Sequence, residues 1–579
     1  MILQALYDYY QRKASDPESK IAPYGFEWKE IPFLIVIDEQ GNFVNLEDTR
    51  EGEGKNKRIK SYLLPRAVLR TIKIIPQLLW DKEEYLLGTS TEVDAKHTSF
   101  KNLILNLPDY IRQDAGVNAV INFYNKNGIE YVTQAMNWKD VISAKNPFMT
   151  FKLAGEINPI PCLETIRESV RLTQQETPDN LDDSADTDTS LTIKAICLIT
   201  GQKETIARTH RKTFINKDAN TLVSFQKNSG YDSYGKIQAY NAPISLSGED
   251  AYTTSLKMLL EKGSKNKFNI GGTIFIFWAE KDNLLEDNFS FFFNKPPIDN
   301  PDRGIQAIKS LFESIHSGKF NTEGETKFYL LGLCPGGGTR IAIRLWKTGT
   351  VKDFAEKIAG HFTDLEIIHG KNDEREYFSL FNLLSNIVLE YKVDNLPPNL
   401  AGKVIECILD GSPYPATLQQ QCLRRIRAEQ KVNRIRAAIL KGYLNRFNRF
   451  HYKNEKEITM ALDLENTNQG YLCGRLFAVL EKIQEEAQPG INSTIKDRYY
   501  GAASSTPITV FGRLVNLTGH HLVKLHPGRK TNLEKLIQEV MSPINSNGMP
   551  AHLSLDDQSR FAIGYYHQRQ ALFTAKADK

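Results

Sequence analysis

Residues 31–44 read IPFLIVIDEQGNFV. The run Phe33, Leu34, Ile35, Val36, Ile37 is apolar and rich in β-branched residues; it ends at Asp38 and meets Gln40, Gly41 and Asn42 before Phe43 and Val44 resume the extended pattern. That order predicts a strand, a turn and a returning strand. Upstream, Ile2, Leu3, Leu6, Tyr9 and Tyr10 recur at near-helical spacing until Pro23, Gly25 and Phe26 break it, so a short helix opens the chain. Downstream, residues 48–66 (DTREGEGKNKRIKSYLLPR) form a glycine-rich basic stretch too polar for a core.

Further along, β-type runs alternate with helical stretches: LTIKAICLIT, GGTIFIFWAE, KFYLLGLCP and IAIRLW, then VKDFAEKIAGHF as a helix. From Tyr414 the strand signal fades and amphipathic helical patterns take over. Residues 177–190 (TPDNLDDSADTDTS) are acidic and poor in apolar side chains, which predicts a linker or disordered insertion. An EF-hand loop is disfavoured because its central Gly and terminal Glu are missing. The expected fold class is therefore an α+β multidomain N-terminal region followed by an all-α C-terminal helical bundle. The expected domains are 1–176 (α+β), the acidic insertion 177–190, 191–405 (α/β or α+β) and the helical bundle 406–579.

With 579 residues, 41% hydrophobic, 10% aromatic and 25% charged, the chain has the composition of a multi-domain globular protein. A formal net charge of +4 is too small to identify a nucleic-acid partner, so the distribution of charge must decide. Cys162, Cys197, Cys334, Cys407, Cys422 and Cys473 never form a CxxC pair, which argues against a disulfide framework or zinc ribbon. The start MILQALYDYYQRKAS lacks the basic flank and apolar run of a signal peptide, and no later stretch approaches a membrane span, so the expectation is a cytoplasmic protein.

The strongest charge pattern lies in residues 422–453. Placed on one continuous helix, Arg424, Arg427, Lys431, Arg434 and Lys441 fall within a third of its circumference, while Ile426, Ile435, Ile439 and Leu444 supply apolar contacts. One-sided charge favours a phosphate backbone, the alternative being a face packed on an acidic neighbour. Arg50, Lys55, Lys57, Arg58, Lys60 and Arg66 make a second set of candidate phosphate contacts, in a segment where Gly52 and Gly54 allow close backbone approach. Residues 231–245 (YDSYGKIQAYNAPIS) group Ser233, Tyr234, Lys236, Gln238 and Asn241 around Gly235, and amides with a lysine can contact base edges.

Other constellations are weaker. GLCPGGGTR (332–340) offers freed amides for a phosphate, or simply joins two strands, and is not a Walker A loop because no Gly-Lys-Ser/Thr follows. His520, His521 and His526 lack the Cys or carboxylate that would complete a metal shell, so packing or phosphate contact is preferred. Cys197 has no evident His partner and reads as core. No catalytic residue, metal or cofactor is expected.

Several segments together resemble the Csd-type large subunit of the type I-C CRISPR Cascade: MILQALYDYYQR, IPFLIVIDEQGNFVNLEDTREGEG, LLWDKEEYLLG, SYGKIQAYNAP, FWAE, FYLLGLCPGGGTRIAIRLW and DRYYGAASSTPITVFGRL, in that order and almost from end to end. The acidic insertion and the Gly336–Gly338 turn look like local departures. The resemblance implies a non-catalytic subunit that recognises the PAM in double-stranded target DNA, promotes R-loop formation by crRNA, supports the displaced single strand through its helical C-terminal region and recruits a helicase-nuclease. Implied partners are crRNA, target DNA, and the backbone, 5′-handle and small subunits. Implied PAM or base contacts fall on the 233–241 group, with Arg50, Lys55, Lys57 and Arg58 as phosphate anchors nearby. It also implies an internal start at Met460, giving residues 460–579 as a separate small subunit. Two other readings stand beside it. A nuclease or crRNA-processing enzyme would need clustered metal ligands, and a general single-strand scaffold would use basic grooves with stacking aromatics and show no PAM preference.

Overall fold

The computed structural model describes every residue except 53–57, 69–73, 90–93, 177–192, 216–217, 227–229, 231–233, 296–302, 319–323, 337–339, 371–375, 453–455, 546–547 and 574–579. The described residues are mixed α+β, with small sheets and a helix-rich C-terminal half. They cluster into two units, residues 1–261 with 337–341, and residues 262–336 with 342–579. The expected insertion at 177–190 lies outside the described residues.

In the first unit the predicted hairpin is present. Strand β1 (Phe26–Glu30) precedes β2 (Phe33–Ile37) and β3 (Phe43–Asp48); β4 (Ser61–Pro65) pairs antiparallel with β1. With β5 (Trp80–Lys82) and β6 (Phe148–Leu153) the larger sheet has the order β3-β2-β6-β5, in which only β2 and β6 run parallel. Every residue of β2 is buried because both faces of the strand are covered: Phe33, Ile35 and Ile37 join the core beneath α2 (Ala115–Asn125), and Leu34 packs with Ile31, Tyr62, Leu64 and Trp80. The Asp38 carboxylate accepts from the backbone and side-chain amides of Asn42 (2.7 and 2.8 Å), closing the turn. Gly41 there has φ +83°, and a Cβ would meet backbone of α2 at 2.6 Å, so only glycine lets helix and hairpin touch. The opening helix, α1 (Ile2–Ala14), buries Ala5, Leu6, Tyr9 and Tyr10. It packs on α3 (Leu246–Leu260), whose N-cap Ser245 accepts from the Gly248 amide.

The second unit holds an antiparallel ladder, β7 (Lys267–Ile270) to β8 (Thr273–Ala279) to β9 (Lys327–Pro335), continued by β10 (Ile341–Thr350), and then α4 (Val351–Leu365). The runs GGTIFIFWAE, KFYLLGLCP and IAIRLW thus form the expected strands. Among its described residues, the LTIKAICLIT run keeps a three-residue strand, Lys194–Ile196, before its backbone turns at Gly201, whose amide donates to the Cys197 carbonyl. One apolar core runs from Phe268 in β7 to Tyr566 near the C-terminus. The sheet and the C-terminal helices therefore share their packing across the boundary expected at 405/406.

Those helices are α5 (Ala416–Glu429), α6 (Arg434–His451), α7 (Gln469–Ala487), α8 (Ile495–Ala503), α9 (Phe511–Leu522), α10 (Pro527–Met541) and α11 (Leu555–Phe573). Their central contact is backbone against backbone. A Cβ on Gly474 of α7 would sit 2.0 Å from the Phe561 carbonyl oxygen of α11, one on Gly470 2.4 Å from that of Asp557, and one on Gly564 2.3 Å from that of Tyr471. At the same crossing the buried His567 Nδ1 meets Tyr471 Oη (3.0 Å), while its Nε2 has no hydrogen-bond partner among the described residues. Burial, followed by the charge of Lys441, pulls His567 down to about 4.

Two outcomes are expected. Gly474→Ala forces two helix backbones apart and should lower stability by about 1–3 kcal/mol or more in urea unfolding. A folded pKa of about 4 for His567 against ~6.5 unfolded means that the unfolded chain binds more protons between those values, so this contribution is complete above pH ~6.5 and is lost as pH falls towards 4. The loss attributable to His567 is about 3 kcal/mol, and His567→Gln should flatten that part of the pH dependence.

Candidate nucleic-acid interface

The 233–241 group forms a stiffened surface loop as far as it is described; Ser233 lies outside the described residues. Tyr234 (φ +51°), Gly235 (+72°) and Gln238 (+48°) all adopt left-handed backbone, which a non-glycine residue holds only when its surroundings impose it. The restraint is visible. Asn241 Nδ2 donates to the carbonyls of Lys236 (3.1 Å) and Gln238 (3.0 Å), Arg208 Nε donates to Gln238 Oε1 (2.7 Å), and the Ala239 amide donates to the Arg208 carbonyl (3.1 Å). Tyr234 is fully exposed and Lys236 is exposed. This corrects the reading of Asn241 and Gln238 as direct base readers: their amides hold the loop, and Tyr234 and Lys236 are what it presents. Arg208, which carries no signal in the sequence because it lies 30 residues from Gln238, was missed.

The loop runs directly into Ser245 at the start of α3. Cys197 Sγ accepts from the Ser245 amide (3.2 Å) and hydroxyl (3.3 Å) and from the amides of Ile199 and Thr200. Burial pushes this thiol up, but the bonds from Ser245 and Thr200 outweigh it and leave it below its ordinary value. The cysteine read as core thus also ties the 197–201 turn to the helix start.

Within α3, Asp250 and Glu249 are buried charges, paired with a buried and a half-buried arginine respectively. Arg66 pairs with Asp250 and donates to Thr253 Oγ1 (2.8 Å) and Thr254 Oγ1 (3.1 Å), while Arg211 pairs with Glu249 (3.0 Å). Burial raises the Glu249 carboxyl; Arg211, Arg66 and His210 more than reverse this and hold it below the usual range. Arg66 is therefore a buried structural cation rather than a phosphate contact. Arg50 is corrected in the same way, since Asp48 grips it through Nε (2.8 Å) and Nη2 (2.7 Å) and it lies over the Phe33 ring. Arg58 and Lys60 are exposed, and Lys55 and Lys57 lie outside the described residues.

The predicted cationic stripe spans two helices, not one. Gln430 takes left-handed backbone (φ +50°) and ends α5, and Asn433 caps α6 by accepting from the Arg436 amide (2.9 Å). The break rotates the two halves independently. Arg424, Arg427 and Lys431 remain exposed, with Arg427 bonded to Gln558, whereas Arg434 is buried over the Phe378 ring and Lys441 is buried. Burial lowers the Lys441 ammonium pKa, with Asp364 opposing the shift. Arg434 and Lys441 are thus withdrawn from the phosphate set. Sequence reading also missed Arg436, Arg446 and Arg475, which are buried against Glu429, Asp364 and Glu539 respectively.

Of the remaining candidates, Gly337 and Gly338 lie outside the described residues, and Arg340 forms a parallel bridge with Thr221. His520 and His526 are exposed, and no group of His, Cys, Asp and Glu among the described residues could hold a metal ion. Met460 is exposed between α6 and α7, its carbonyl accepting from the Ile368 amide (2.9 Å). No helix among the described residues is long and apolar enough to cross a membrane.

A family model described as CRISPR-associated protein (Cas_Csd1) matches residues 6–573. No curated protein matches the chain.

The two kinds of arginine and lysine should separate in measurement. Asp250→Asn strands the Arg66 charge in the interior and should cost about 3–5 kcal/mol in chemical unfolding, whereas Lys236→Ala, on the surface, should stay within about 0.5 kcal/mol of the parent.

Proposed function

The chain belongs to the Cas_Csd1 family of CRISPR-associated proteins, as a Cascade subunit of the Csd1 large-subunit type, and from that premise we propose that it works by binding nucleic acid, not by catalysis. In this reading it recognises the PAM of a target duplex, promotes R-loop formation by crRNA, supports the displaced strand and recruits the helicase-nuclease. It does so in company with the backbone, 5′-handle and small subunits. Base pairing between guide and target reads the sequence, while the protein reads only a short duplex element.

The observation that carries the PAM assignment is the Tyr234–Lys236 tip. Its left-handed backbone is locked from behind by Asn241 and Arg208, which places an aromatic ring and a cation in solvent at little further entropic cost. Arg58 and Lys60 are candidates for phosphate contact, as are Arg424 and Arg427 on α5 and Lys431 just beyond it. The internal start at Met460 is favoured by one observation: residues 460–579 contain both sides of the Gly470, Gly474 and Gly564 contact, so the fragment keeps its central helix crossing. Replacing Met460 should then remove a short product from a gel of expressed protein, and an unchanged band pattern would rule the start out.

The experiment that tests the main reading is to tag the chain in its host, purify it gently and sequence the RNA that accompanies it. Short RNAs sharing one repeat-derived 5′ handle with varied spacers are expected. Their absence from cells that transcribe a repeat array would shift the assignment to an enzyme or a general single-strand scaffold. In the assembled complex, Lys236→Ala should cost roughly 1–3 kcal/mol in binding PAM-bearing duplex, and Arg208→Ala, by releasing the loop, should weaken the preference for PAM over non-PAM duplex. Unchanged affinity and preference in both variants would remove the loop from PAM recognition.

A further inference from the structure

The sheet of the second unit runs β7-β8-β9-β10, so β10 is one of its two edges. The other edge, β7, has four residues and buries two of them, Phe268 and Ile270. β10 has ten residues, and in its stretch from Ala342 to Thr350 Leu345 alone is buried. An edge strand leaves part of its N–H and C=O groups pointing away from the sheet, open to another strand. Among the described residues no group from outside the sheet bonds to the main chain of 342–349.

Edges of this length are ordinarily blocked by a proline, an outward lysine or a covering element. β10 contains no proline. Its lysine, Lys347, is held at 2.5 Å by Asp410 at the end of the helix Leu400–Asp410. Arg344 leans back on its own sheet, donating from Nε to Cys334 Sγ of β9 (3.0 Å). Both charged groups that could block the edge are thus drawn to other elements, and Ile343, Arg344 and Thr348 are exposed along it.

Two further features select what fits there. Trp278, Tyr329 and Trp346 form a ring ladder across β8, β9 and β10, with Trp346 nearly parallel to Tyr329 (5.8 Å between centroids, 7°). The ladder ends at Trp346, which is half-buried on the edge strand itself. From Thr326 to Lys352 the chain has no aspartate or glutamate, and Arg344 is in no ion pair among the described residues.

We propose that β10 receives an additional strand from another protein: an extended acidic segment that pairs with its free peptide groups, sets an apolar side chain beside Trp346 and a carboxylate beside Arg344. An extended polypeptide is required because its backbone alone alternates donors and acceptors at the spacing of the edge, and side chains at every second position then reach the strand's own side chains. A phosphate backbone would answer Arg344 but has no donors for the outward carbonyls. The segment is acidic because the edge and its flanks carry cations without a local carboxylate to meet an incoming one. The inference concerns assembly with protein and is independent of the reading of the 234–236 tip.

The test compares the full chain alone with the complex that copurifies with it from its host. In the free chain the outward amides of 342–349 should exchange with deuterium quickly and the ladder amides slowly; in the complex the fast set should become slow. A photo-reactive phenylalanine analogue at Thr348 should cross-link to a companion polypeptide within a stretch that contains aspartate or glutamate. Arg344→Glu should lower recovery of that companion several-fold at an unchanged thermal midpoint. Outward amides that stay fast in the complex would overturn the proposal, as would a cross-link confined to nucleic acid or to a second copy of this chain, or parental recovery with Arg344→Glu. Copurified short RNA together with fast outward amides would leave the Cascade reading standing and remove this one, whereas protected amides without that RNA would do the reverse.

Discussion

A guanidinium taken out of water needs a carboxylate or carbonyl beside it, and this demand sorts the cations of the chain. Arg66 is buried against Asp250, Arg446 against Asp364 and Arg475 against Glu539, each with further hydrogen bonds to its remaining protons. Once those pairs are made, their carboxylates are no longer free to balance cations elsewhere. Among the cations that stay in solvent are Lys236 on the 234–236 tip and Arg424 and Arg427 on α5. Function is read from that remainder.

The elements legible in sequence were those set by local pattern. The apolar run of β2 and its turn at Gly41, the strands β8 to β10, α1 and the helical C-terminal third all follow from periodicity and turn chemistry within a few residues. The basic stripe failed for the opposite reason. Its reading assumed helix through residues 430–433, where no proline or glycine marks a stop, and the break depends on Gln430 in left-handed backbone and on the Asn433 cap. A one-residue change of helical phase moves a side chain by about 100°, so Arg434 and Lys441 turned inward although their spacing looked outward.

Partners distant in sequence account for the other errors. Arg66 and Asp250 are 184 residues apart, and Arg66 sits in a stretch whose composition reads as surface. Asn241 illustrates a subtler limit. An amide in a polar loop can read a base or bond its own backbone, and only the position of the Lys236 and Gln238 carbonyls decides between the two. In the candidate site, the sequence could not show that two of the side chains it singled out are used to hold the loop itself.

Glycine shows the same ambiguity resolved by contact. Gly474 and Gly519 both lie within helices and are indistinguishable by propensity. At Gly474 a Cβ would collide with the Phe561 carbonyl, so the residue is explained by the fold; at Gly519 a Cβ would meet nothing, so the fold leaves it unexplained. The net charge of +4 conceals how cations and acids are arranged, because carboxylates spent on buried arginines count against cations they never face. The distribution of surface charge is therefore set by where acids are absent and not by the net charge.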